Sequence, residues 1–378
     1  MRIKSLKVND LRNIKHFCLN TDKVFNIIYG ENGSGKTTVL EALHILSTGK
    51  SFRSSKPETI ISYGKKQFSV FVSSVDHNLK ERSFGIARQQ SGEVNIKIDT
   101  VPSKRISDLA LNVLVQVISP DSISLLVGGP SERRKYLDYI MFHVEPSYYK
   151  SWQEYKKILQ QRNNLLKTYG YRVNPKQLEA WDKQFIDKAL IVITLLQVQI
   201  ESILSHIKIY IKKMINLDID ISYAQGFQGE LNLSALEKLR SKELASGSSQ
   251  IGPHKSDLLL TVQGQPADKL LSRGQSKLLV CALILAQASY VYKKTQKKPV
   301  FLLDDLPSEL DENAREKVYQ AIKSMDLQAF VTGIELNQLL PRDKSIQSSV
   351  FSIANGCLEE CDINSTDGLK SLSALFVD

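Results

Sequence analysis

Gly30-Glu31-Asn32-Gly33-Ser34-Gly35-Lys36-Thr37 fits GxxxxGK[ST] at every fixed position, and its flanks show what it is built into. An apolar stretch carrying Phe25, Ile27 and Ile28 precedes it, and Val39, Leu40, Leu43 and Leu46 follow at helical spacing. Strand, glycine loop and helix in that order make a phosphate cradle. Glycine allows the tight turn through which successive N–H groups and a helix N-terminus converge on phosphate oxygens. In such a loop Lys36 reaches the β/γ-phosphates and Thr37 offers its hydroxyl to Mg²⁺. The stretch implies a bound nucleoside triphosphate with Mg²⁺, contacted by Gly30, Glu31, Asn32, Gly33, Ser34, Gly35, Lys36, Thr37 and Thr38; the nucleotide is ATP by the resemblance that follows.

A second motif narrows the class. Leu271-Ser272-Arg273-Gly274-Gln275 resembles the LSGGQ signature of ABC-type ATPases, with Arg273 in the third place. In that superfamily the signature closes over the nucleotide of a partner head. The physics is again that of a helix N-terminus: Ser272 O–H and Gly274 N–H, with Gln275 beside them, open the apolar helix at 278–286 towards a γ-phosphate presented from outside. Ser272 is therefore an expected catalytic contact. One phosphate loop and one signature per chain imply two copies face to face, an ATP-dependent homodimer.

Pro299-Val300-Phe301-Leu302-Leu303 then runs apolar and continuous, like a strand buried on both faces, into Asp304-Asp305. Asp304 is the expected Walker B carboxylate, sharing Mg²⁺ with Thr37. Asp305 stands where ABC ATPases usually carry a glutamate that polarises the attacking water, so a shorter carboxylate takes the base role and hydrolysis is expected to be slow. Ser308-Glu309-Leu310-Asp311 resembles the D-loop. All six histidines precede this strand, so the switch histidine of transporter-type ATPases is absent, and Thr332 in the next apolar run stands in its region.

The chain has 378 residues, 42% of them hydrophobic, enough for one large or two modest domains. Residues 1–11 alternate like a strand rather than a signal peptide, and no uninterrupted apolar run reaches the ~18 residues of a membrane span. With four scattered cysteines read as reduced thiols, this gives the expectation of a cytoplasmic protein without a membrane partner. Strand-like segments at 68–75, 94–101 and 113–118 suggest an antiparallel layer. Residues 147–169 and 176–217 read as two long helices, a short hairpin arm broken at Gly170 and Pro175. The expected fold is α/β: an ABC-type (SMC/Rad50-like) P-loop head with an antiparallel layer and a helical second domain. Its boundaries are expected at 1–130 (head with the loop), 131–245 (arm) and 246–378 (head with signature, Walker B and D-loop).

Taken together, these motifs resemble one family, the bacterial RecF recombination and repair proteins. The likeness extends to Gly49-Lys50-Ser51-Phe52-Arg53, Ser119-Pro120-Asp121, Gly128-Gly129-Pro130 with Arg133-Arg134 and Leu137-Asp138, and Gly252-Pro253-His254-Lys255. The resemblance implies ATP-dependent dimerisation, binding to double-stranded and gapped DNA, and work with RecR and RecO to load RecA. It also implies that basic residues near Arg12 and Arg53 approach phosphates, while Gln116 fits a Q-loop glutamine by position. Fifty Lys+Arg against forty Asp+Glu, net +10, agree with a phosphate-backbone binder. The alternative is a Rad50/SMC-like ATPase of another DNA-processing complex, against which stand the short insert and the lack of a zinc-hook CxxC.

Overall fold

The computed structural model describes residues 1–361 apart from 22, 55–58 and 77–78. Packing divides the chain into two compact units, Met1–Ser122 with Gln296–Asp378, and Ile123–Thr295. The first unit opens with β1 (Arg2–Leu11), β2 (Ile14–Asn20), β3 (Phe25–Tyr29), α1 (Lys36–Thr48), β4 (Gln67–Val75), β5 (Glu81–Gln89), β6 (Val94–Ile98), β7 (Val101–Ser103), α2 (Ile106–Asn112) and β8 (Val115–Ile118). The second contains α3 (Ser124–Val127), α4 (Pro130–Val144), α5 (Tyr148–Tyr169), α6 (Pro175–Met214), β9 (Asp220–Ala224), α7 (Leu233–Lys238), α8 (Arg240–Ser246), β10 (Asp257–Val262), β11 (Gln265–Pro266), α9 (Ala267–Leu270) and α10 (Arg273–Thr295). The chain then returns to the first unit as β12 (Val300–Leu303), α11 (Leu306–Glu309), α12 (Glu312–Ser324), β13 (Ala329–Gly333), α13 (Leu336–Leu339), β14 (Ser348–Ala354) and β15 (Cys357–Cys361).

Two six-stranded sheets form the first unit. One is antiparallel in the order β2-β1-β4-β5-β6-β7; the other runs β15-β14-β3-β13-β12-β8, parallel except for β15. Helix α1 packs against strands of both sheets and buries Val39, Leu40, Ala42, Leu43, Ile45 and Leu46. The inward residues of the antiparallel sheet, such as Leu6, Val8, Val70, Val72, Phe84 and Ile86, meet Ile28, Leu302, Phe330 and Phe351 in the same core. Each large side chain so buried stabilises the unit by about 1.5–3 kcal/mol. Gln328 ties the sheets at one edge: its amide oxygen accepts the Ile3 N–H at 2.7 Å and its nitrogen donates to Ile3 O at 3.0 Å and Thr21 O at 2.6 Å.

The antiparallel layer differs from the expected one at two places. Residues 115–118 pair in parallel with β12 and belong to the other sheet. β5 was not anticipated, because Glu81, Arg82, Ser83, Gly85 and Arg88 leave only Phe84 and Ile86 as inward apolar positions.

In the second unit the two long helices match the 3.6-residue pattern. α5 ends at Gly170 (φ 51°), and α6 starts at Pro175 behind Asn174, whose side chain accepts the Lys176 and Gln177 N–H groups. The divisions at 122/123 and 295/296 place residues 246–295 with the helices rather than with the head. Bonds across that unit explain the grouping. Arg133 on α4 grips Asp257 on β10 with Nε at 2.8 Å and Nη2 at 2.9 Å, and Tyr136 O–H donates to Leu283 O at 2.8 Å. Helices α6 and α10 are each long and apolar enough to cross a bilayer by length and composition; the apolar window of α10 is 72% buried inside the protein and that of α6 28%.

Candidate nucleotide site

The phosphate loop lies between β3 and α1. Gly33 has φ 80°, which a non-glycine residue rarely adopts, and a Cβ at Gly30 would meet the Ile353 carbonyl oxygen at 2.3 Å. The end of β14 thus presses on the loop, and from the β14–β15 turn Gly356 N–H donates to Ser34 O at 2.9 Å. The first β1–β2 turn approaches from another direction: Asn13 Nδ2 donates to Gly33 O at 3.1 Å and its Oδ1 accepts the Thr38 hydroxyl at 3.2 Å. The buried Ser34 hydroxyl has no hydrogen-bond partner among the described residues. An orphaned polar atom inside a phosphate loop fits a site made for an oxyanion.

A cavity of about 350 Å³ is lined by Arg12, Asn13, Asn32, Gly33, Gly35, Lys36, Thr37, Thr38, Arg53, Asp304 and Asp305. Gly30, Glu31 and Ser34 shape the loop behind it. Lys36 Nζ is folded back onto the carbonyls of Gly30 and Glu31, both at 2.7 Å. Burial pushes its ammonium below the usual 10.5, opposed by Asp305, Asp304 and Glu31. The Thr37 hydroxyl donates to Asp304 Oδ1 at 2.9 Å, so residues 267 apart in sequence share one point. Burial pushes the Asp304 carboxyl above its ordinary 3.8; hydrogen bonds from Thr332 and Thr37 and the charge of Arg53 act the other way.

Asp305 follows in a left-handed turn, φ 48°, at the start of α11. Its N–H donates to Thr332 Oγ1 at 3.0 Å, and the Thr332 hydroxyl donates to Asp304 Oδ1 at 2.9 Å. One fully buried threonine therefore holds both aspartates. After it comes Gly333, where a Cβ would meet Leu339 Cδ2 at 2.7 Å, so a side chain there would have to displace the buried Leu339. The D-loop-like segment spans α11 and its exit, and Asp311 caps α12 by accepting the Ala314 N–H at 2.8 Å.

Gln116 is not at the cavity. It sits inside β8 opposite Phe301, and its buried amide nitrogen has no partner among the described residues. Residues 115–118 make the strand, so a glutamine inside it does not occupy the loop that follows. Sequence reasoning missed Glu41, Asn13 and the linking role of Thr332. Each acts through a partner far away in the chain, and no short motif shows that.

Among the described residues no group of three His, Cys, Asp or Glu could hold a metal. Thr37 and Asp304 offer two hard oxygens, which suits Mg²⁺, an ion that completes its shell with waters and substrate phosphates. These two residues would hold it only together with a nucleotide.

In the second unit Ser272 is the N-cap of α10. Its hydroxyl accepts the Gln275 N–H at 3.3 Å and Gln275 Oε1 accepts the Ser272 N–H at 2.9 Å, a reciprocal capping box. Ser272, Arg273, Gly274 and Gln275 are exposed, while the helix behind them is buried from Leu279 to Ala286. An exposed N-terminus on a rigid buried helix can accept an anion from outside.

The family model for the RecF/RecN/SMC N terminal domain matches residues 2–358. Relatives cover almost the whole chain. The DNA replication and repair protein RecF of Pseudoalteromonas translucida (strain TAC 125) is 40% identical over 341 residues, 88% of this chain and 92% of that protein. That of Shewanella frigidimarina (strain NCIMB 400) is 36% identical over 358 residues, 94% and 98%. The chain belongs to the RecF family. A solved structure of the recombination mediator protein RecF-ATPrS in the RecFOR pathway is 28% identical, with TM-score 0.83 over 95% of this chain and 98% of that one. An Smc head bound to the C-winged helix domain of ScpA, at 15% identity and TM-score 0.57, shares the fold. The expected ABC-type, SMC-like ATPase head is thus the fold of this chain.

Proposed function

We propose that this RecF-family protein is an ATP-driven switch for recombinational repair and replication restart. Mg²⁺·ATP binds at Gly30–Thr38, two copies close over it, and the dimer holds duplex or gapped DNA until slow hydrolysis releases it. The observation that carries this reading is the convergence of Lys36, Thr37, Asp304 and Asp305 on one cavity, whose walls come from the phosphate loop, the start of α1, the β1–β2 turn and the two aspartates that follow β12. Lys36 would leave its loop carbonyls for the β/γ-phosphates. When bound, Mg²⁺ would neutralise phosphate charge between Thr37 and Asp304. Asp305, fixed by Thr332, is the base candidate for an attacking water, and a second copy's Ser272, Gly274 and Gln275 would contact the γ-phosphate.

Net charge +10 supports a DNA backbone partner. The RecFOR pathway named for the structural relative supports RecO and RecR as partners, with RecA loaded downstream. The test is a salt titration of binding to duplex, gapped and single-stranded DNA, with ATP and with ADP. Affinity is expected to be higher with ATP, to prefer duplex or gapped DNA, and to fall with a log–log slope of ~0.9 per neutralised phosphate. Binding indifferent to nucleotide, or a slope near zero, contradicts the switch.

A further inference from the structure

Glu41 lies on α1 with its side chain 0% exposed, and a buried carboxylate needs partners. It has two kinds. Arg12 grips it with Nε and with Nη2, the latter at 2.7 Å, and the Ser51 hydroxyl donates to the same Oε1. Ser51 passes the connection on, because its oxygen accepts the N–H groups of Arg53 at 2.9 Å and Ser54 at 3.0 Å. Arg12 and Arg53 come from separate segments, one from the β1–β2 turn and one from beyond the C-terminus of α1. Both line the cavity that contains Lys36, Thr37 and Asp304.

The geometry around Arg12 is over-determined. Its backbone is left-handed at φ 53°, a conformation that persists where surroundings impose it, and its Nη1 donates to Thr59 O at 3.3 Å. A guanidinium held bidentately on one edge keeps a fixed orientation, whereas a free arginine loses many rotamers on meeting an anion.

We propose that Glu41 is a positioning residue for the nucleotide polyphosphate, fixing Arg12 directly and the Arg53 segment through Ser51, so that two cations stand ready beside Lys36. This rests on the reading that the cavity takes ATP. Glu41 does not touch the ligand in this scheme; its effect reaches the phosphates only through the two arginines. A purely structural Glu41 would change the stability of the empty protein and leave affinity untouched. A positioning Glu41 changes affinity in a way that depends on Arg12.

The experiment is calorimetric binding of ATP and ADP, with Mg²⁺, to the full chain and to Glu41→Gln, Arg12→Ala, their double variant and Ser51→Ala, with thermal melts of the nucleotide-free proteins alongside. Glu41→Gln is expected to weaken ATP binding roughly tenfold, the size of one charge-assisted contact, and to add little once Arg12 is alanine. Ser51→Ala leaves the ion pair in place and is expected to weaken ATP binding a few-fold, within the range of one neutral hydrogen bond. A folded Glu41→Gln protein with wild-type affinity, or losses from Glu41→Gln and Arg12→Ala that multiply independently, overturns the proposal. If Glu41→Gln does not fold, wild-type affinity in Ser51→Ala overturns it. A parental protein that binds no ATP overturns the nucleotide reading itself, and with it this one.

Discussion

Thr332 shows how much of the site depends on one hydroxyl. It donates to Asp304 Oδ1 at 2.9 Å and accepts the Asp305 N–H at 3.0 Å, so removing it loosens the carboxylate and orphans a backbone donor. Thr332→Val keeps the shape and is expected to cost about 1–3 kcal/mol of stability, the usual penalty for a buried unpaired group. It should also raise the Asp304 carboxyl further, since the Thr332 hydrogen bond opposes the upward push of burial. Protons then compete better for that oxygen, so the Mg²⁺ requirement of ATP hydrolysis should rise, most at acid pH. An unchanged Mg²⁺ titration would show that Thr332 does not act on Asp304. Asp305→Asn, by contrast, is expected to retain Mg²⁺·ATP and slow single-turnover hydrolysis by ~10²-fold or more; a parental rate would move the base role elsewhere. The aspartates were legible because they follow a continuous apolar strand. Their tie was not, since 27 residues separate Thr332 from Asp305.

At the scale of elements, the second unit is held by polar clusters that no periodicity announces. Arg162 on α5 is fully buried and bonds Asp182 on α6 at 2.8 Å, Glu243 on α8 at 2.6 and 3.1 Å, and Ser249 Oγ at 2.6 Å. Arg162→Met strands two buried carboxylates and is expected to destabilise the protein by about 3–5 kcal/mol in denaturant melts; a loss below about 1 kcal/mol would mean that Arg240, which also pairs with Asp182, suffices. His254 lies close by. Its Nε2 faces the Ser249 carbonyl at 3.1 Å and so carries the proton, leaving Nδ1 to accept the Tyr155 hydroxyl at 2.6 Å. Burial lowers its pKa from 6.5 to about 4. The folded state therefore binds fewer protons, and the stability this gives is present above pH 6.5 and lost as pH falls towards 4. At pH 5 the loss is roughly 2 kcal/mol. In His254→Gln, melts at pH 7 and pH 5 are expected to differ by that much less than in the parent, and an unchanged difference would rule out His254 as the titrating group. The helices α5 and α6 were legible from apolar spacing and from Gly170 and Pro175. β5 was hidden by its polar outward face, and 115–118 reads as a strand without saying which sheet it joins.

For the whole molecule, the order of loop, signature and Walker B in one chain was enough to give the ATPase head. The division into units was less legible, because the Arg133–Asp257 and Tyr136–Leu283 bonds that group residues 246–295 with the helices join segments more than a hundred residues apart. The central claim is that two chains complete each other's nucleotide sites. Lys36→Met removes the charge that faces the β/γ-phosphates, and Ser272→Arg fills the place where a partner's γ-phosphate would sit. In a two-fold dimer, one intact loop from the Ser272→Arg chain and one intact signature from the Lys36→Met chain still make a single complete site. The decisive measurement is sedimentation velocity in Mg²⁺·ATP of each variant alone and of their equimolar mixture, beside the parental protein. The account predicts a parental dimer, monomers for each variant alone, and a dimer, weaker than the parental one, in the mixture. A mixture that stays monomeric while the parent dimerises, or a Ser272→Arg protein that dimerises by itself, would contradict it.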